Sequence, residues 1–331
     1  MWFETLTGFS EESPQQVRKN ITVDRQTLTS HVNGKVLVYG QLETPTLAEL
    51  RARVHAHGQK GGQISVREVV ANVQHLHTDV SNAGALFQVA SQFNLLEMVS
   101  PSVTPERGVG IYEHDHTQGP ACAIAAGAGT IYRNYFAMVN GQTGQSASNQ
   151  IDCLAEIGAA LGNTASRLWE MRNGYALASQ SGLVAIAQHL HAASESELDR
   201  LRQLLRIGIQ WKTQVTLHDA QHTVSQAYCS ALPVAYSHHP SHLWAAFARL
   251  ILEATYEATM CTAILNAMSH GSNRLFLTLL GGGAFGNEMA WIMGGIQRAL
   301  TLYKDTALDV AIVSYGSSNY DVHQLVNQWL K

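Results

Sequence analysis

Charge is scarce in this 331-residue chain. Charged side chains make up 14% of it, the formal net charge is -4, and no stretch gathers the lysines and arginines that a nucleic-acid surface needs. Nucleic acid is therefore not an expected partner. Cysteine is sparse as well. Cys122, Cys153, Cys229 and Cys261 lie far apart, each in an apolar setting, with no Cys-x-x-Cys pair, which excludes a disulfide frame or a zinc site and implies reduced, buried thiols of a cytoplasmic protein. The start, Met-Trp-Phe-Glu-Thr, has no basic region followed by an apolar core, and no apolar run approaches 18 residues. Neither a signal peptide nor a membrane partner is expected.

What the chain does have is apolar material. At 46% hydrophobic it can build one large α/β domain or two small ones. Its most informative stretch is Leu275-Phe276-Leu277-Thr278-Leu279-Leu280, then Gly281-Gly282-Gly283-Ala284-Phe285-Gly286-Asn287, then a segment with Met289, Ile292, Met293, Ile296 and Leu300 at helical spacing. This reads as a strand buried on both faces, a loop, and an amphipathic helix. Glycines leave backbone N–H groups unobstructed, and beside a helix start such groups hold phosphate. No Lys-Ser/Thr follows, so the loop is not a Walker motif, and a tight turn without a ligand is the alternative.

Residues 83–90 form a second apolar run, broken by Gln88 and leading into Ser91-Gln92-Phe93-Asn94. The carboxyl end of a central parallel strand is where open α/β sheets place ligands, so Ser91, Gln92 and Asn94 are candidates for a sugar or a base edge, or else helix caps. A third stretch, Tyr112-Glu113-His114-Asp115-His116-Thr117-Gln118-Gly119-Pro120, puts Glu113 and Asp115 two apart. On an extended segment both carboxylates point to one side and can share acid and base work. His75 and His77 are also two apart, as strand neighbours would be, and with no third ligand in view no metal is expected; neither is a cofactor. The helix expected from Leu47, Leu50 and Val54 should end at the glycines of 58–62.

Taken together, the glycine loop and its helix, Asp79 before Phe87-Gln88-Val89-Ala90, Ala90 to Asn94, Thr117-Gln118-Gly119-Pro120, Tyr132-Arg133-Asn134-Tyr135, Asn173-Gly174-Tyr175 and Cys229-Ser230-Ala231 resemble the macrodomain family over residues 70–330, above all its glycohydrolase-like branch and the MavL-type group. The resemblance implies a three-layer α/β/α macrodomain-like mixed sheet with insertions, residues 1–69 as an N-terminal extension packed on the core, and 70–331 as the ADP-ribose-binding domain. It implies that Asp79 holds the adenine amino group, that Ser91 and Asn94 lie in the ribose-facing segment, that Gly281, Gly282, Gly283, Ala284, Phe285, Gly286 and Asn287 form the second phosphate loop, that Gln88, Gly119 and Asn319 also bind the ligand, and that the end of the strand expected at residues 308–315 lies beside the glycine loop. The family's valine, asparagine, two alanines and asparagine are absent, and no Glu-Glu pair follows Asn94. That leaves Asp115, with Glu113, as the expected catalytic carboxylates. The implied activity is removal of ADP-ribose from a modified protein side chain, ubiquitin being one carrier; a non-catalytic ADP-ribose reader and a Cys229-dependent acyl transfer are the alternatives.

Overall fold

The structure is a computed structural model that describes residues 1–57 and 61–329. The chain opens with α1 (Trp2–Thr7), α2 (Pro14–Asn20), β1 (Ile21–Asp24), β2 (Thr27–Ser30), β3 (Val36–Val38), β4 (Gln41–Glu43), α3 (Leu47–His57), β5 (Ser65–Val70), α4 (Val73–Thr78) and β6 (Leu86–Ala90). It continues with α5 (Gln118–Ala125), α6 (Gly127–Tyr135), β7 (Met138–Val139), β8 (Gln142–Thr143), α7 (Ala155–Leu161), β9 (Trp169–Arg172), β10 (Tyr175–Ala178), α8 (Gln180–Ala192) and α9 (Glu195–Gln203). The last third holds β11 (Gly208–Gln214), β12 (Thr223–Cys229), α10 (Ser241–His270), β13 (Arg274–Leu277), α11 (Met289–Leu302), β14 (Asp309–Ser314) and α12 (Tyr320–Trp329).

Seven strands form one mixed sheet in the order β4-β11-β12-β6-β13-β14-β5. From β12 to β5 all neighbours are parallel, while β11 joins β12 and β4 antiparallel. Successive side chains of a strand point to opposite faces, and β6 shows which helices cover which. Phe87 stacks on His77 of α4, whereas the adjacent Gln88 donates to the Thr259 hydroxyl of α10 at 2.9 Å. One face therefore carries α10 with α3, α8, α9 and α11 packed on it, and the other carries α4, α5 and α6. Helix α10 has 30 residues, about 45 Å at 1.5 Å each, and buries Leu252, Tyr256, Met260 and Cys261 along its length. Met260 is core filler as expected, and Met268 packs on the same core while half-buried.

The expected boundary at residues 69 and 70 is not where the sheet ends. Strand β4 is one edge of the sheet and β5 the other, so residues 41–43 and 65–70 belong to it. What remains outside is residues 1–40, with its own three-stranded sheet β1-β2-β3. This segment builds a second core: Phe3, Leu6, Phe9 and Val17 pack with Leu96, Met98, Tyr112, Ile131 and Tyr135. His75 and His77 sit on helix α4, not on a strand; His77 is wholly buried, its Nδ1 paired with the Val73 carbonyl at 2.8 Å, and burial pushes its pKa down to about 4. The expected end of α3 falls partly at residues 58–60, outside the described residues.

Candidate functional site

Strands β6 and β13 pair only at Leu86 with Leu275 and Phe87 with Phe276, and then part. Strand β6 leads towards α5 on one face and β13 towards α11 on the other. Adjacent parallel strands whose connections leave in opposite directions open a crevice beyond their carboxyl ends. A side chain stands in for the missing ladder. Gln118 Nε2 donates to the Gln88 carbonyl at 2.8 Å, and the Ala90 N–H donates to Gln118 Oε1 at 2.9 Å.

The crevice is a cleft of about 150 Å³. Its walls are residues 90–92, Asp115 with residues 117–120, and the loop after β13; Glu97, Met98, Val99, Tyr175, Ala231 and Tyr236 complete it. Of the residues singled out in the sequence, Ser91, Gln92, Asp115, Gly119, Gly281, Gly283, Ala284 and Phe285 line this cleft. Gly119 is where α5 meets β6: a Cβ there would lie 1.9 Å from the Ala90 carbonyl oxygen.

The loop after β13 is held open from behind. Gly281 has φ +76 and its carbonyl accepts the Asn287 N–H at 2.9 Å, while Asn287 Nδ2 donates to the Leu232 carbonyl at 2.8 Å. Gly282 donates to the Leu279 carbonyl at 3.0 Å, and Gly286, with φ +69, donates to that of Gly283 at 3.0 Å. Gly282, Gly286 and Asn287 thus shape the loop and do not line the cleft. Among the described residues, the N–H groups of Gly283, Ala284 and Phe285 have no partner, and nothing lies within 4 Å of where a Gly283 Cβ would be. Three neighbouring free amides at a cleft wall suit an anion. The Phe285 ring meets Tyr175 at 5.3 Å and Tyr236 at 5.5 Å, giving the same wall an aromatic patch.

Five expected site residues are placed elsewhere. Asp79 lies at the amino-terminal end of β6, exposed, accepting the Ser81 N–H at 2.9 Å as a turn cap, so it faces away from the cleft. Gln88 is buried in the floor, where its Oε1 accepts the Thr278 N–H at 3.2 Å. Asn94 is buried too, donating to Gln150 at 2.8 Å and accepting from the Leu96 N–H at 3.1 Å. Asn319 caps α12, accepting the Asp321 N–H at 3.0 Å. Glu113 parts from Asp115 because Gly110–His114 is a 3-10 helix, not extended chain; its Oε2 accepts the Trp2 N–H at 3.1 Å, while Asp115 turns to the cleft. Asp115 Oδ1 accepts from the Thr117 N–H at 2.9 Å and hydroxyl at 2.7 Å.

The carboxyl that sequence reasoning missed is Glu97. It lines the cleft yet is 2% exposed. Arg133 is fully buried beneath it: Nη2 donates to Glu97 at 3.2 and 3.3 Å, Nε donates to the Leu95 carbonyl at 2.9 Å, and Nη1 donates to the Tyr228 hydroxyl. Only one guanidinium nitrogen serves Glu97, and burial outweighs it, pushing the Glu97 pKa up to about 7 against the lowering effects of Arg133 and the Tyr112 hydroxyl. The one sequence signal was a lone acid inside Leu95-Leu96-Glu97-Met98. Cys229, by contrast, is a core thiol that burial pushes up to about 12, its Sγ 3.5 Å from the Thr259 hydroxyl, which leaves no support for acyl transfer.

No described helix is long and apolar enough to cross a membrane, and no group of metal-binding side chains occurs among the described residues. No family model matches the sequence, and no curated protein matches it. Among solved structures, the chain is similar to the poly(ADP-ribose) glycohydrolase of Deinococcus radiodurans in complex with ADP-ribose, at 13% identity over 88% of this chain and 94% of that one, with a TM-score of 0.46. It is also similar to the poly(ADP-ribose) glycohydrolase of Thermomonospora curvata, at 13% identity over 96% and 97% of the two chains and a TM-score of 0.42. That enzyme bound to the inhibitor ADP-HPD gives 12% identity, 95% and 97% coverage, and 0.41.

Proposed function

We propose that the cleft binds ADP-ribose in a macrodomain-type site and that the protein hydrolyses its glycosidic link to a protein side chain. The observation that carries this is the meeting, in one crevice, of three unpartnered loop amides with two carboxyl groups of different surroundings. A diphosphate on the N–H groups of Gly283, Ala284 and Phe285 directs the attached ribose along the aromatic wall towards the far side, where Asp115 and Glu97 stand. Breaking the anomeric bond builds positive charge on the sugar, which an ionised carboxylate stabilises while a water is activated. Asp115, half-buried and on a polar turn, takes that role. Glu97, with a pKa of about 7, retains a proton near neutrality and supplies it to the leaving group. A cleft carboxyl that burial pushes up to about 7, beside a second carboxyl held on a polar turn, favours a hydrolase over a reader.

The test is calorimetric titration with ADP-ribose beside release assays on Arg-, Ser- and Glu-linked substrates, modified ubiquitin included. Binding with release supports the proposal. Binding without release from any linkage makes the protein a reader, and no binding at all removes ADP-ribose from the account.

A further inference from the structure

Glu11 belongs to the segment outside the main sheet, between α1 and α2, yet three donors from the main body converge on its carboxylate. Oε1 accepts the Val109 N–H at 2.9 Å and the Tyr135 hydroxyl at 2.6 Å, and Oε2 accepts the Gly110 N–H at 2.6 Å. The chain on the other side is shaped to receive it. Gly108 has φ +89, and a Cβ there would lie 2.4 Å from Glu11 Oε2; at Gly110 the distance would be 2.8 Å. Neither position accepts a side chain without displacing the carboxylate. A second tie runs the opposite way, from the Trp2 N–H to Glu113.

The segment held in this way carries the site. Val109 and Gly110 start the 3-10 helix that contains Tyr112, itself buried. The Tyr112 hydroxyl accepts the Glu97 N–H at 3.0 Å, and its carbonyl accepts the Asp115 N–H at 3.1 Å. One residue thus fixes the backbone of both cleft carboxyls, and that residue hangs from Glu11.

We infer that Glu11 is a positioning residue: a strut from residues 1–40 that sets the relative placement of Glu97 and Asp115, so that turnover depends on a segment that does not touch the ligand. This rests on the hydrolase reading for its catalytic part alone. The glycine loop hangs from β13 and α11, on the other wall of the cleft, so the strut governs turnover and not affinity.

The test compares full-length wild type with Glu11→Gln and Tyr135→Phe, each checked for folding by a circular dichroism melt. Glu11→Gln keeps the shape and loses the two-oxygen clamp; Tyr135→Phe removes one donor and leaves Glu11 in place. Amide hydrogen exchange is read over residues 108–117, together with ADP-ribose affinity and the rate of ADP-ribose release. The expected result is exchange at Val109 and Gly110 faster by about tenfold in Glu11→Gln and by less in Tyr135→Phe. Release should fall by about tenfold or more in Glu11→Gln with the ADP-ribose Kd essentially unchanged. Unchanged exchange in both variants overturns the strut, and faster exchange with wild-type turnover overturns its link to the site. If wild type itself neither binds nor releases ADP-ribose, the functional proposal fails, and the exchange measurement alone decides the strut.

Discussion

The carbonyl oxygen of Ala90 occupies the space that a side chain on Gly119 would need, 1.9 Å from the position of its Cβ. Helix α5 is seated on the end of β6 by that contact and by the Gln118 amide beside it. Gly119→Ala should therefore move the helix or unseat it, at a cost of roughly 1–3 kcal/mol as for other overpacked sites, and should weaken ADP-ribose binding by deforming one cleft wall. Urea unfolding and calorimetry check both. A variant with wild-type stability would show that the helix start adjusts freely.

Two glycines of the same loop should behave differently. Gly283 faces open space, so Gly283→Val is expected to leave the urea midpoint unchanged and to lower ADP-ribose affinity by about tenfold or more, the equivalent of ~1.4 kcal/mol. Gly281 has a positive φ and a Cβ there would lie 2.5 Å from that of Ala231, so Gly281→Ala should lower stability as well. Retained affinity in Gly283→Val would remove the diphosphate from this loop.

Asp115 and Glu113 were paired by their spacing and are separated by the fold. Asp115→Ala should slow release of ADP-ribose by about 10²–10⁴ while free ADP-ribose still binds. Glu113→Ala removes the tie to Trp2 and the contact with His114, and should slow release far less. Equal effects of the two on the release rate would return them to a shared role.

Glu97 gives the protein a pH signature. Its folded pKa, about 7, stands above the ordinary 4.5, so its neutral form is the one the fold favours. The stability it contributes is fully present below pH 4.5 and is lost as pH rises through about 7, by on the order of 3 kcal/mol. Glu97→Gln keeps the size and removes the titration. Subtracting its stability from that of wild type at each pH should leave a difference that turns against wild type across this window, whereas a flat difference would mean that the carboxyl does not titrate there.

The exposed turn at Asp79 yields a plain outcome. Asp79→Ala should leave ADP-ribose affinity unchanged, because the residue caps a turn at the opposite end of the strand from the cleft. Weakened binding in calorimetry would place the ligand across the other end of the sheet.

Much of the sheet's centre was legible. Strands β6, β13 and β14 announce themselves as apolar runs, and the glycines after Leu280 mark where a buried strand gives way to a loop and a helix. Strand β4, Gln41-Leu42-Glu43, has no such pattern; its place is given by pairing with Gly208–Gln214, which no local signal records. The reading of 112–115 as extended failed on i to i+3 bonds, among them those from the Tyr112 N–H to the Val109 carbonyl and from the Asp115 N–H to the Tyr112 carbonyl, which coil the segment and turn Glu113 away. Glu97 was overlooked because what makes it notable, the buried Arg133, lies 36 residues further along the chain. Spacing reports neighbours on one element; the acid and its counter-ion meet only after α6 has packed beneath the cleft.

The edge strand β5 pairs along its whole length with β14, from Ser65 opposite Asp309 to Val70 opposite Ser314. These partners are 244 residues apart. At a ribosome's pace of about 5–20 residues per second, β5 leaves the peptidyl-transferase centre roughly 10–50 s before its partner exists. Through that interval Val66 and Val69 have no ladder, and the last-made parallel strand, not the first, completes the sheet. Closure of the sheet is therefore an event of high contact order that waits for residue 309, and any release of the nascent chain before residue 309 leaves β13 as a bare edge open to another chain.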